Sequence, residues 1–187
     1  MQRKLFPHDH PNIVMALDNF GAVSMARGNP CDAEPLFRES LAMSRRLFDD
    51  QSPLVASTLN NLAEALQKQG RSTEAETLAR EALAVWERTE PNAWQGSATR
   101  FQVGVSLAAQ GKFAEAEPLL LAGYEGMKSR EQSMRPDERA DKLPDALAHL
   151  VQFYTDSGQP QKVKEWQQKR DAFNQASAAA KAAGNQL

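Results

Sequence analysis

Internal repetition constrains this chain more than any other feature. Sliding the sequence by 42 residues lays its first part on its second. Arg3, Leu5 and Phe6 fall on Arg45, Leu47 and Phe48; Leu17 and Asn19 fall on Leu59 and Asn61. Gly28 meets Gly70, Ala33-Glu34 meets Ala75-Glu76, and Leu41-Ala42 meets Leu83-Ala84. A slide of 41 then carries Gln69-Gly70 onto Gln110-Gly111 and Glu74-Ala75-Glu76 onto Glu115-Ala116-Glu117. A weaker copy centres on Gly158. Matches this dense at a fixed offset mean that one structural unit is used repeatedly.

Each unit reads as two helices. Leu59, Leu62, Ala63 and Leu66 follow the spacing i, i+3, i+4, i+7, which makes one apolar helix face. Gly70 ends that helix, because glycine takes the left-handed C-cap conformation without strain. Thr73 and Glu76 have the spacing of a capping box opening the next helix. Pro30 suits a first turn, and Pro35 and Pro118 are expected near helix starts, where a missing N–H costs least. Small residues recur at Gly21, Ala63 and Gly104, and again at Ala33, Ala75 and Ala116. They predict close helix contact within each hairpin, with Leu17, Phe37, Leu59 and Leu78 filling the seams between hairpins. A single hairpin cannot bury its apolar face alone, so the hairpins must stack.

These features resemble the tetratricopeptide repeat. The usual unit is about 34 residues. A period near 42, with Leu59-Asn60-Asn61-Leu62-Ala63, Gly70 and the Glu-Ala-Glu run, is similar to the longer repeat of kinesin light chains and many bacterial proteins. The resemblance implies an all-α fold, a right-handed superhelical solenoid of stacked antiparallel hairpins with about four repeats. The segment Tyr154–Pro160, with Trp166, is similar to the last repeat of arrays attached to bacterial serine/threonine kinases. No kinase glycine loop or His-Arg-Asp motif is present.

The expected organisation is a remnant of a preceding repeat at 1–11, then repeats at 12–53, 54–92 and 93–128. A charged insertion follows at 129–143, because Gly111 and Gly158 are 47 residues apart. It is expected as an extended helix or a mobile loop. A degenerate fourth repeat occupies 144–173, and an Ala/Gln-rich tail at 174–187 either continues the last helix or frays. The chain is expected to begin inside a repeat whose front is missing. Leu5, Phe6, Ile13 and Val14 would then leave an apolar end able to form a homo-oligomer.

Catalysis finds no support. Glu34, Glu76 and Glu117 recur once per unit, which argues for a structural task; near helix starts they would face the positive end of the dipole. Paired-carboxylate chemistry fails because a solenoid spaces them a repeat apart. His8-Asp9-His10 reads as an inter-unit linker without enough ligands for a metal. Cys31 is the sole cysteine, so no internal disulfide forms. Trp86, Trp94 and Trp166 read as core or seam residues. A net charge of −2 offers no basic face for nucleic acid. No apolar run is long enough to span a membrane. The expectation is a cytoplasmic, cofactor-free, metal-free protein that is not an enzyme.

The resemblance further implies that first helices line a concave groove for a protein or peptide partner. Asn61 and its equivalents Asn19, Gln102 and His149 would form a polar ladder, one rung per repeat. Carboxamides both donate to and accept from a peptide backbone. The competing reading has these groups tying neighbouring repeats together. Asn60, Glu64, Lys68, Phe101, Val105 and Gln152 are further inward candidates, with Phe101 and Val105 suiting an apolar anchor. A carboxylate clamp is not expected, since only Asn61 fits one. The alternative function is an oligomerisation or regulatory module, including the C-terminal part of a bacterial serine/threonine kinase or signalling protein.

Overall fold

The computed structural model describes the backbone of residues 9–184 and the side chains of residues 9–179. Leu5, Phe6, His8 and most of the segment expected as a repeat remnant lie outside the described residues. The helices pair as antiparallel hairpins: α1 (Pro11–Ala26) with α2 (Pro30–Leu47), and α3 (Pro53–Lys68) with α4 (Ser72–Thr89). Then come α5 (Trp94–Ala109) with α6 (Phe113–Ser129), and α7 (Pro136–Asp156) with α8 (Pro160–Gly184). Each helix packs on its chain neighbours, and α1, α3, α5 and α7 also touch in that order. This is the stacked α-solenoid that the repetition predicts.

The four turns inside the hairpins are copies of one another. Gly28, Gly70, Gly111 and Gly158 have φ of 77, 78, 77 and 70°. The residue after each glycine donates its N–H to a carbonyl five positions back: Asn29 to Ser24, Arg71 to Leu66, Lys112 to Leu107 and Gln159 to Tyr154, at 2.9–3.0 Å. This Schellman geometry satisfies the last helical carbonyls. Helix starts vary more. The His10 ring accepts from the Asn12 N–H at 3.1 Å, and the Ser52 hydroxyl accepts from Leu54 at 3.3 Å.

Close packing inside hairpins follows from complementary sizes. A Cβ on Gly21 would collide with the Phe37 ring, and one on Gly104 would lie 2.8 Å from Leu120 Cγ. The equivalent pair in the second hairpin is Ala63 with Ala79, both fully buried. Phe37 therefore fills space inside its own hairpin, against Gly21, and belongs to the core shared with the next hairpin. Leu59, Leu62 and Leu66 are 0–1% exposed. Full burial of each such side chain is worth about 1.5–3 kcal/mol.

Several sequence expectations need correction. The helix α4 opens at Ser72 with Arg71 as its N-cap, and no side chain caps it. The capping box at Thr73 and Glu76 does not form, because Glu76 turns toward the next hairpin. Glu34, Glu76 and Glu117 are each the fifth residue of their helix, past the first turn. Pro35 and Pro118 are sixth residues and lie inside α2 and α6. Each removes one backbone hydrogen bond near the helix start, on an exposed side.

The segment 129–143, expected as an extended helix or a mobile loop, is largely helical. It forms a short 3₁₀ turn (Glu131–Ser133) and the first turns of α7. Pro136 supplies the preset φ of a helix start, and the Glu138 carboxylate reaches back to accept from the Arg135 N–H at 2.9 Å. The tail expectation resolves toward helix, since α8 runs to Gly184. Ile13 and Val14 are 5% and 0% exposed and pack with Met43, so they leave no apolar patch. Among the described residues, the exposed large apolar side chains are instead Met15, Phe20 and Val23.

Candidate functional site

Helix periodicity places one side of each first helix on a common face. Among the described residues, α3, α5 and α7 together line a groove of about 830 Å³. The middle helix, α5, contributes Trp94, Ala98, Phe101, Gln102 and Val105, spaced i, i+4, i+7, i+8 and i+11. Phe101 is 6% exposed. Its seat depends on Gly123 of α6, where a Cβ would lie 2.7 Å from the Phe101 backbone nitrogen. The His149 ring meets Phe101 edge-on, with centroids 6.2 Å apart. The middle of the groove is therefore apolar.

Its flanks are polar. On one side α3 presents Asn60, Asn61, Glu64 and Lys68, with Ser57 and Gln67. On the other, α7 presents Asp137, Glu138, Asp141, Lys142, Asp145 and His149. Lys142 links the flanks: its Nζ lies 3.5 Å from Glu64 Oε2 and 3.6 Å from Asp141 Oδ2. Burial pushes the Lys142 ammonium down, but Glu64, Asp141 and Asp145 outweigh it and raise the pKa above the ordinary lysine value. Asp145 also lies 3.6 Å from His149 Nε2.

Eight of the ten expected residues line this groove: Asn60, Asn61, Glu64, Lys68, Phe101, Gln102, Val105 and His149. Asn19 and Gln152 do not. Asn19 is exposed on α1, which reaches the groove only through Ala22 and Ala26. Gln152 is exposed and donates to Asp156 Oδ1 at 2.7 Å along its own helix. The rungs at Asn61, Gln102 and His149 stay together, and the ladder is three rungs long.

The repeats are tied elsewhere. Gln69 Nε2 donates to Pro30 O at 3.1 Å, and Gln110 Nε2 donates to Glu76 Oε2 at 2.7 Å. Arg71 Nη1 lies 2.8 Å from Glu34 Oε1, Lys112 Nζ 3.4 Å from Glu76 Oε2, and Lys162 Nζ 2.6 Å from Glu117 Oε1. Each recurring glutamate thus binds the turn or helix of the following repeat. By contrast, Asn60 Oδ1, Gln67 Oε1 and Gln102 Nε2 are buried atoms without a hydrogen-bond partner among the described residues. The carboxamides that join repeats sit just before the turn glycines, and the groove carboxamides do not share that task.

The tetratricopeptide repeat family profile matches residues 12–88 and 54–129. The chain belongs to the tetratricopeptide repeat family. No curated relative matches it by sequence. Among solved structures it resembles a Podosopora anserina protein named for kinesin light chain, with nearly identical TPR-like repeats. A single-substitution variant of that protein aligns with a TM-score of 0.68 at 20% identity, over 95% of this chain and 82% of that one. BtubC (BKLC) from P. vanneervenii aligns with a TM-score of 0.70 at 18% identity, over 88% of this chain and 64% of that one. These likenesses show the kinesin-light-chain-like form of the tetratricopeptide fold.

The acidic flank of this tetratricopeptide array escaped the sequence reading. The register of the earlier units puts the start of the fourth first helix at Asp141, the equivalent of Trp94. The helix starts five residues earlier, at Pro136. The available signal was Pro136 followed by Asp137-Glu138, an N-terminal pattern, and the spacing of Asp137, Asp141 and Asp145 at i, i+4, i+8.

Proposed function

We propose that the chain is a non-catalytic scaffold that holds a peptide segment of another protein in the groove between α3 and α7. Tetratricopeptide repeats generally mediate protein–protein interaction, and the groove gives that role a surface. The observation that carries the reading is the set of buried, unpartnered carboxamide atoms on Asn60, Gln67 and Gln102 beside an apolar floor. A buried polar group without a partner is costly, and a peptide backbone supplies both donors and acceptors. Phe101 and Val105 give an apolar side chain a place to rest. No helix among the described residues is long and apolar enough to cross a membrane, and a cytoplasmic location is part of the proposal.

The test is selection of random dodecapeptides displayed on phage, followed by affinity measurement on the intact chain and on Val105→Glu. Val105 is half-buried at the groove floor and packs against the core, so circular dichroism of Val105→Glu establishes that the fold is intact. Peptides that bind the intact chain and lose at least about tenfold, or 1.4 kcal/mol, with Val105→Glu place binding in the groove. Peptides indifferent to the change overturn the assignment.

A second reading is favoured by α1. Met15, Phe20 and Val23 are 56, 63 and 48% exposed. In repeat register Phe20 corresponds to Leu62 and Val103, which are 1% and 0% exposed against neighbouring helices. The outer face of α1 thus has the character of a repeat-to-repeat surface, which suits an oligomerisation or regulatory module. Attachment to a bacterial serine/threonine kinase or signalling protein belongs to this second reading and rests on the residues around Tyr154 alone.

A further inference from the structure

The groove is acidic where it is polar. Its charged lining comprises the carboxylates Glu64, Asp137, Glu138, Asp141 and Asp145 against the cations Lys68, Arg135 and Lys142. Arg135 is already paired with Asp137 and Glu138 of its own helix. Lys142 is paired with Glu64 and Asp141. The Lys142–Glu64 contact crosses from α7 to α3 over the middle helix, and both side chains remain about a third exposed, at 36% and 33%. A pair this exposed is held weakly. It shows that the carboxylates accept an ammonium group at that point, and another cation could take its place at little cost.

We propose that the groove takes an extended peptide bearing a lysine or arginine beside an apolar residue. The cation enters between Glu64, Asp141 and Asp145 in place of Lys142, and the apolar side chain rests on Phe101 and Val105. This rests on the groove being the binding surface. The spacing supports an extended ligand. Asp137, Asp141 and Asp145 recur every fourth residue, about 6 Å along the helix axis. Alternate side chains of an extended chain recur at about 6.7 Å. Basic residues at alternate positions therefore meet successive carboxylates of α7, while the peptide backbone passes the carboxamides of Asn60 and Gln102. Charge complementarity of this kind sets partner choice and rejects acidic segments.

The same phage selection supplies the test, read by the sequences recovered and by their affinities. The expected consensus is basic and apolar residues in alternation. Its affinity falls at least about tenfold, or 1.4 kcal/mol, on the triple variant Glu64→Gln, Asp141→Asn, Asp145→Asn. It rises on Lys142→Met, which removes the internal competitor. Circular dichroism of each variant establishes that the fold is intact. An acidic or neutral consensus that still depends on Val105 overturns this proposal and leaves the groove reading standing. So does a basic consensus that binds the neutralised variant undiminished. Peptides indifferent to Val105→Glu, or no binder at all, defeat both.

Discussion

Tyr154 donates its phenolic hydrogen bond to Glu117 Oε1 at 2.9 Å, a contact made by no residue at the same position of the earlier repeats. In register Tyr154 stands where Leu66 and Leu107 stand. Glu34 and Glu76 are instead reached by Arg71 and Lys112, the residues that follow the turn glycines. The fourth repeat has Gln159 there, and Tyr154 with Lys162 takes over. The degenerate repeat has changed its residues and kept the contact.

Tyr154→Phe keeps the ring between Phe153 and Trp166 and removes only the hydroxyl. Loss of one hydrogen bond to a charged acceptor should cost about 1.5–3 kcal/mol. Lys162 still satisfies Glu117, which argues for the lower end. Urea denaturation followed by circular dichroism measures it. An unchanged midpoint would mean that Lys162 alone satisfies Glu117.

The glutamate ladder also fixes the response to acid. The Lys162 hydrogen bond holds the Glu117 carboxyl below its ordinary value of 4.5, with help from Tyr154 and against burial. Burial pushes Glu34 and Glu76 up, but their hydrogen bonds outweigh it and leave both below 4.5. The folded chain then binds fewer protons than the unfolded chain near pH 4. Stability from these groups is complete above 4.5 and is lost as pH falls through the folded values. Melting temperatures between pH 7 and pH 3 should therefore drop most steeply below 4.5. Glu117→Gln should flatten part of that drop.

Asp18 should behave in the opposite way. Burial raises its pKa, and the Thr58 hydroxyl, 2.9 Å from Oδ2, offsets this only in part. Its charged form is the costly one, so its contribution favours the fold at low pH and fades as pH rises through the folded value. Asp18→Asn should melt above the natural chain at pH 7. The difference should close as pH falls through the folded value, where the aspartate takes up its proton. A gap that widens in acid would show that Asp18 works as an anion.

The solenoid was legible because its rules are local and repeated. Gly70 and Gly111 announce their turns by conformation, and Gly21 and Gly104 announce close contact by size. Groove residues on α3 and α5 followed from register. The roles of Glu34, Glu76 and Glu117 were not legible as such, because their partners stand 34 to 45 residues away, in the next repeat. Read locally, a glutamate near a helix start suggests the dipole. The acidic flank was hidden for a related reason. The extra residues between Gly111 and Gly158 suited either an extended helix or a mobile loop, and they form the first turns of α7.

Size complementarity across a hairpin gives a prediction about coupling. Gly104→Ala places a Cβ 2.8 Å from Leu120 Cγ and 3.0 Å from its backbone nitrogen, so the helices must separate. Overpacking of this kind costs about 1–3 kcal/mol. Leu120→Ala opens a cavity in a fully buried site and costs about 2–5 kcal/mol. The double variant returns to the Ala63–Ala79 arrangement that the second hairpin already uses. Its loss should be smaller than the sum of the two, with a coupling of about 0.5–3 kcal/mol. Strict additivity in equilibrium denaturation would mean that the backbone contact at Leu120, rather than its side chain, sets the hairpin distance.

The outer face of α1 makes a separate claim that a substitution can isolate. Phe20 is 63% exposed, yet its register equivalents Leu62 and Val103 are buried in the array. With Met15 and Val23 it forms an exposed apolar face on α1, and faces of this kind mark interaction surfaces. If this face associates with a second copy, sedimentation velocity of the natural chain should show a species that grows with concentration. Phe20→Asp with Val23→Ser should abolish it, because a buried aspartate at such a contact lacks a partner. Neither change touches the groove, so peptide affinity should be preserved. A chain that sediments as a monomer at every concentration would remove the self-association reading and leave the groove as the working surface.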